Sequence, residues 1–73
     1  MTDVVAPLTG IIVRVVTGPG TQVGAEDCVA VLESMKMEIQ IQAGAPGVVE
    51  DVWVEAGQLV DAGDTIARLS PGT

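Results

Sequence analysis

Val29-Ala30-Val31-Leu32-Glu33-Ser34-Met35-Lys36-Met37-Glu38-Ile39-Gln40-Ile41-Gln42 carries the pattern that decides the fold. From Met37 to Gln42 apolar and polar residues alternate strictly, the period of a strand with one wet face. Val29 to Leu32 is a short apolar run rich in β-branched residues, a second strand. If Met35 and Lys36 are the central pair of a tight turn, Ser34 faces Met37, Glu33 faces Glu38 and Leu32 faces Ile39. That register sends Leu32 and Ile39 to the core and both glutamates to solvent. The turn itself is a poor one. Two-residue hairpins close through turns whose central residues have positive φ, which favours Asn-Gly or Asp-Gly over Met-Lys. A turn that breaks its own local rule points to selection for something other than turn stability.

Outward from this hairpin the chain repeats itself. Shifted by 37 positions, Gly10–Ser34 lies over Gly47–Pro71, and eight of the 25 pairs are identical: Gly10/Gly47, Val15/Val52, Gly20/Gly57, Val23/Val60, Ala25/Ala62, Asp27/Asp64, Ala30/Ala67 and Leu32/Leu69. Two copies are too few for a solenoid, so the halves, 10–34 and 47–71, predict one domain of pseudo-twofold symmetry spanning 1–73. Each half reads as β. Further strands are expected at Ile11–Val16, Val48–Val54 and Ile66–Leu69, with short ones near Val4–Ala6, Gln22–Val23 and Gln58–Val60. No glycine- and proline-free window of eleven residues keeps a helical period. The expected fold is all-β, two small antiparallel sheets packed face to face as a flattened barrel. Its core would be Val, Ile and Leu, with Trp53 the only aromatic, and Ser70-Pro71-Gly72-Thr73 reads as a loose end.

Composition narrows the function. The chain has 73 residues, 48% of them hydrophobic and 18% charged, a globular balance for one small domain. It has no histidine, which removes the usual general base and the commonest zinc ligand, so catalysis by this chain alone is not expected. A net charge of −7, with only Arg14, Lys36 and Arg68 basic, speaks against nucleic acid or an anionic membrane as partner. Apolar runs are short and broken by Arg14, Glu33 or Glu50, so no membrane span is expected. Cys28 is alone, the N-terminus lacks the marks of a secretion signal, and the expected compartment is cytoplasmic.

One segment has chemical content. Lys36 is the sole lysine, placed at the hairpin tip between two flexible apolar side chains, Met35 and Met37. Exposed methionine pairs are usually contact surfaces because the thioether adapts to varied partners. A single accessible amine on a rigid hairpin is what an enzyme needs to modify one site and no other. The other singular residues read more plainly. Trp53 matches Val16 in the repeat and is expected to pack or half-pack. Cys28 matches Thr65 and, with no basic neighbour, reads as a small buried or edge residue.

Met35-Lys36-Met37, preceded by Glu33-Ser34 and followed by Glu38-Ile39, resembles the biotin attachment motif of the biotinyl domains, the biotin carboxyl carrier protein family. Ser34 stands where that family usually has alanine. Ala6-Pro7 with Gly10 resembles the family's opening, and Val23–Asp27 and Val60–Asp64 resemble its paired turns. Glu26 replaces the usual glycine in the first turn, which predicts an altered or strained turn there. The resemblance covers essentially the whole chain. It implies a barrel-sandwich hybrid of two four-stranded antiparallel sheets, in agreement with the repeat.

The resemblance also implies a role. Lys36 would receive biotin, as an amide, from a biotin protein ligase acting through biotinyl-adenylate, after the ammonium gives up a proton. Ser34, Met35, Met37, Glu33 and Glu38 would flank the attachment site. The loaded arm would then carry carboxyl groups from a biotin carboxylase to a carboxyltransferase, the domain supplying reach rather than bond-making groups. The isolated domain is expected to be a monomer. Two rival readings stand beside this one. A lipoyl-type acyl carrier shares the fold and the hairpin lysine, but typically has an acidic residue before its lysine and a small one after it. The other rival is a β-sandwich interaction module whose lysine stays unmodified.

Overall fold

The computed structural model describes residues 2–71, so Met1, Gly72 and Thr73, the outermost residues of the single-domain span and of its loose end, lie outside the described residues. Eight strands follow one another: β1 (Thr2–Val5), β2 (Gly10–Val15), β3 (Gln22–Val23), β4 (Cys28–Ser34), β5 (Met37–Gln42), β6 (Gly47–Val52), β7 (Leu59–Val60) and β8 (Thr65–Ser70). They form two four-stranded antiparallel sheets, ordered β1-β8-β6-β3 and β5-β4-β2-β7. A shift of 37 maps β2 onto β6, β3 onto β7, β4 onto β8 and β1 into β5, so one sheet becomes the other. Ser70, read as part of the loose end, is the last residue of β8 and donates its hydroxyl to the Val48 carbonyl at 3.4 Å.

The halves are interlaced rather than side by side. β3 pairs with β6 of the second half, and β7 pairs with β2 of the first. Even the irregularities repeat: the bulge between Ile12 and Arg14 recurs between Val49 and Asp51. Among the described residues fourteen buried side chains pack into one core cluster and fall into seven repeat pairs, among them Ile12/Val49, Val29/Ile66 and Leu32/Leu69. A fifteenth buried apolar residue, Val31, lies outside that cluster and is matched by Arg68. Both sheets therefore contribute the same inward positions, and the slab is filled symmetrically by aliphatic side chains.

The two paired turns differ by one peptide. In Asp61–Asp64, Gly63 takes φ +91° and its N–H donates to the Ala6 carbonyl at 2.8 Å. Its counterpart Glu26 does not have positive φ, and there the peptide is turned over: the Ala25 carbonyl accepts from Gly44 N–H at 2.8 Å. The reverse arrangement needs a left-handed residue, which glycine supplies and glutamate does not. Pro7, the repeat mate of Gly44, has no N–H to offer. Glu26 thus alters its turn without straining it. In both turns an aspartate carboxylate accepts from the first turn N–H at 2.8 Å, Asp27 from Gly24 and Asp64 from Asp61.

Two expectations about packing need correction. Trp53 is not in the core; it is 47% exposed, and Arg68, held by Asp3 at 3.1 Å, stacks on its ring at 4.7 Å from the centroid. Its place just beyond β6, mated to the equally open Val16, leaves no room for an indole between sheets filled by Val, Ile, Leu and Ala. Ile39 is half-buried rather than buried, because β5 is the outer strand of its sheet. Cys28 is half-buried, its thiol donating to the Ala30 carbonyl at 3.3 Å, in keeping with a packing role.

Candidate functional site

β4 and β5 pair in the expected register, with Leu32 opposite Ile39, Glu33 opposite Glu38 and Ser34 opposite Met37. Met35 and Lys36 are left to turn the chain. Both take positive φ, +53° and +67°, and among the described residues they alone do so without being glycine. This is the conformation whose twist matches the flanking strands, imposed on two residues that resist it. Each left-handed L-residue costs roughly 1–2 kcal/mol, which the rest of the hairpin has to offset.

The turn projects its side chains outward. Lys36 is exposed, Met35 is 93% exposed and Met37 65% exposed. Behind the tip, the hairpin is tied to two other segments. The Ser34 hydroxyl donates to the Thr9 carbonyl at 2.9 Å, and the Thr9 hydroxyl accepts from Ala62 N–H at 3.2 Å. Thr9 thereby joins the base of the hairpin to the turn between β7 and β8. Next to it, Gly10 lets β2 lie close against β4: a Cβ at that position would collide with the Glu33 carbonyl oxygen. The amine thus stands at the end of a flexible four-carbon stem, on a base held by hydrogen bonds and close backbone packing.

The acidic residues form a rim. Glu33 and Glu38 are exposed and directly opposite each other. Like charges so placed are unfavourable for a sheet. The described ion pair, Arg68 with Asp3, belongs to the other sheet and does not neutralise them. On the same outer row β2 and β7 place Ile11 opposite Leu59, both exposed. The surface beside Lys36 is therefore apolar at the tip, acidic just below it, and apolar again across β2 and β7.

All six residues singled out in the sequence, Glu33, Ser34, Met35, Lys36, Met37 and Glu38, lie on this one hairpin. Thr9, Gly10 and Ala62 were not anticipated as its supports. The Ser34–Thr9 hydrogen bond spans 25 positions and has no local signature; Gly10 and Ala62 were visible in advance only as repeat-matched residues.

Fold and hairpin together define a class: a small β domain of two matching four-stranded sheets with one exposed lysine on a tight turn. The family model described as "Biotin-requiring enzyme", the biotin/lipoyl family, matches residues 2–69, and the chain belongs to that family. It is 44% identical over 68 residues to the biotinylated protein TB7.3 homolog of Mycobacterium leprae, covering 93% of this chain and 96% of that one. It is 38% identical over 65 residues to the biotin carboxyl carrier protein of Streptococcus mutans, covering 89% of this chain and 50% of that one. Among solved structures, the urea carboxylase of Kluyveromyces lactis superposes with a TM-score of 0.89 at 30% identity, over 94% of this chain and 6% of the enzyme.

Proposed function

We propose that this chain is a biotin carrier, with biotin held as an amide on Nζ of Lys36. The observation that carries the proposal is the hairpin tip: the sole lysine of the chain, exposed, in a positive-φ turn between two exposed methionines. The site fits the group. An amide there needs an amine that a ligase can surround from all sides, and Lys36 stands beyond the last cross-strand pair. Met35 and Met37 offer apolar contact to an apolar ring system or an enzyme wall, Ser34 anchors the base through Thr9, and Glu33 with Glu38 supplies an acidic edge for recognition.

Bound at Lys36, biotin supplies a ureido ring able to take up and release a carboxyl group. The chain's own part is to hold and present. Its strands fix where the arm is rooted, and the long lysine stem gives the arm its sweep, which raises the cofactor's effective concentration at each site within reach. The chain is a carrier and not an enzyme. We further propose that residues 1–73 act as one domain, monomeric when isolated and cytoplasmic. Its partners would be a biotin protein ligase, a biotin carboxylase and a carboxyltransferase.

A lipoyl arm would use the same hairpin. The methionines on both sides of Lys36 and the biotin relatives weigh against it, and the adverse turn weighs against an unmodified module. The test is co-expression with a biotin protein ligase followed by streptavidin detection. The chain is expected to label, and Lys36→Arg to lose the label while keeping its melting profile. Label that survives in the arginine variant would overturn the assignment.

A further inference from the structure

The two methionines of the hairpin invite a second chemistry. Burial normally protects a thioether from oxidants, but Met35 is 93% exposed and Met37 65% exposed, one residue to either side of Lys36. The other sulfur among the described residues, that of Cys28, is half-buried and hydrogen-bonded to the Ala30 carbonyl. The side chains most open to a diffusible oxidant are therefore those that border the acceptor amine. Met35 stands in the positive-φ turn itself and Met37 opens β5, the outer strand of its sheet.

We infer that Met35, followed by Met37, is a site of reversible oxidation by peroxide-type oxidants, and that the sulfoxides block the loading of Lys36; this rests on the biotin-carrier reading above. In the step, the thioether sulfur takes one oxygen atom from hydrogen peroxide and water leaves. The sulfur is oxidised by two electrons and the peroxide is reduced by two. The product is polar, branched at sulfur and a strong hydrogen-bond acceptor, where the thioether was apolar and flexible. An enzyme that closes over Lys36 covers both methionines, and a covered sulfoxide without a donor is strongly disfavoured. The fold is not threatened, because neither side chain belongs to the core. The effect falls on docking alone. Methionine sulfoxide reductases, which handle the two sulfoxide epimers separately, provide the return path: a dithiol reductant gives up two electrons and two protons as it closes to a disulfide, and the sulfoxide oxygen leaves as water.

The experiment treats purified, unloaded chain with graded hydrogen peroxide, maps added oxygen by peptide mass spectrometry, and measures initial rates of biotin incorporation by a biotin protein ligase. Met35 is expected to gain oxygen before any other described residue, with Met37 next. The loading rate should fall about tenfold or more when both are sulfoxides, at an unchanged melting profile, and recover after treatment with both classes of reductase. The Met35→Leu, Met37→Leu double variant, compared with its own untreated rate, is expected to be insensitive to peroxide. An unchanged loading rate with both sulfoxides mapped would overturn the inference. So would equal peroxide sensitivity in the double variant, or oxidation of another described residue ahead of Met35. Failure of the untreated chain to load at all would instead strike the carrier reading, so the two failures are distinct.

Discussion

Leu32 and Glu33 are neighbours with opposite fates. Leu32 is fully buried and Glu33 exposed, because successive side chains of β4 point to opposite faces of its sheet. Leu32→Ala empties a filled position between the sheets and is expected to destabilise by about 2–5 kcal/mol in urea melts. Glu33→Gln removes one of two facing like charges and should shift stability by less than ~0.5 kcal/mol. Equal effects would mean the register is displaced by one. Residues of this kind were legible from the hairpin register, which the alternation of Met37–Gln42 on the facing strand fixes. Ser34 was not: its size made it an acceptable stand-in for alanine, but its hydrogen bond to Thr9 depends on a loop brought in from 25 positions away. Trp53 misled for the opposite reason, since aromatic character suggested packing while the symmetric core had no vacancy for a ring.

At the level of the element, the β4–β5 hairpin stores strain where it presents its lysine. Its turn could be read from the strand lengths, because only two residues were left to reverse the chain. Replacing Met35→Asn and Lys36→Gly together supplies the residues that such a turn favours and is expected to raise stability by about 1–2 kcal/mol while abolishing loading. Denaturant melts check the first outcome and streptavidin the second. A loss of stability would show that the methionine collar, rather than the backbone, holds the hairpin together. The paired Val23–Asp27 and Val60–Asp64 turns carry the complementary lesson. Glu26 announced a difference between them, but the direction of the turned peptide follows from which loop faces it, Pro7 or Gly44, and no reading of the turn by itself contains that.

Across the whole molecule, the 37-residue repeat is both the most legible feature and the strongest constraint. It predicted two matching sheets, and the seven paired core positions show how fully the symmetry is obeyed. It did not disclose the interlacing, because β3 and β7 are two residues long and pair with strands of the opposite half. Gly10 and Gly47 test the symmetry directly. A Cβ at either would collide with a backbone carbonyl oxygen, of Glu33 and of Ser70 respectively. Gly10→Ala and Gly47→Ala are each expected to destabilise by more than about 2 kcal/mol, and by similar amounts. A large effect at one position alone would show that the halves do not share the load.

The symmetry is broken where function enters. One end of the pseudo-twofold carries a closed hairpin with an adverse turn, an exposed lysine and an unneutralised acidic pair. What that lysine bears decides what the domain does. Intact mass and peptide mapping of the protein isolated from its native host read this out most directly. The predicted result is a single biotin adduct, located on Lys36. A lipoyl adduct, a biotin on any other residue, or a chain that is never modified under conditions where the host's other biotin proteins are loaded would contradict it.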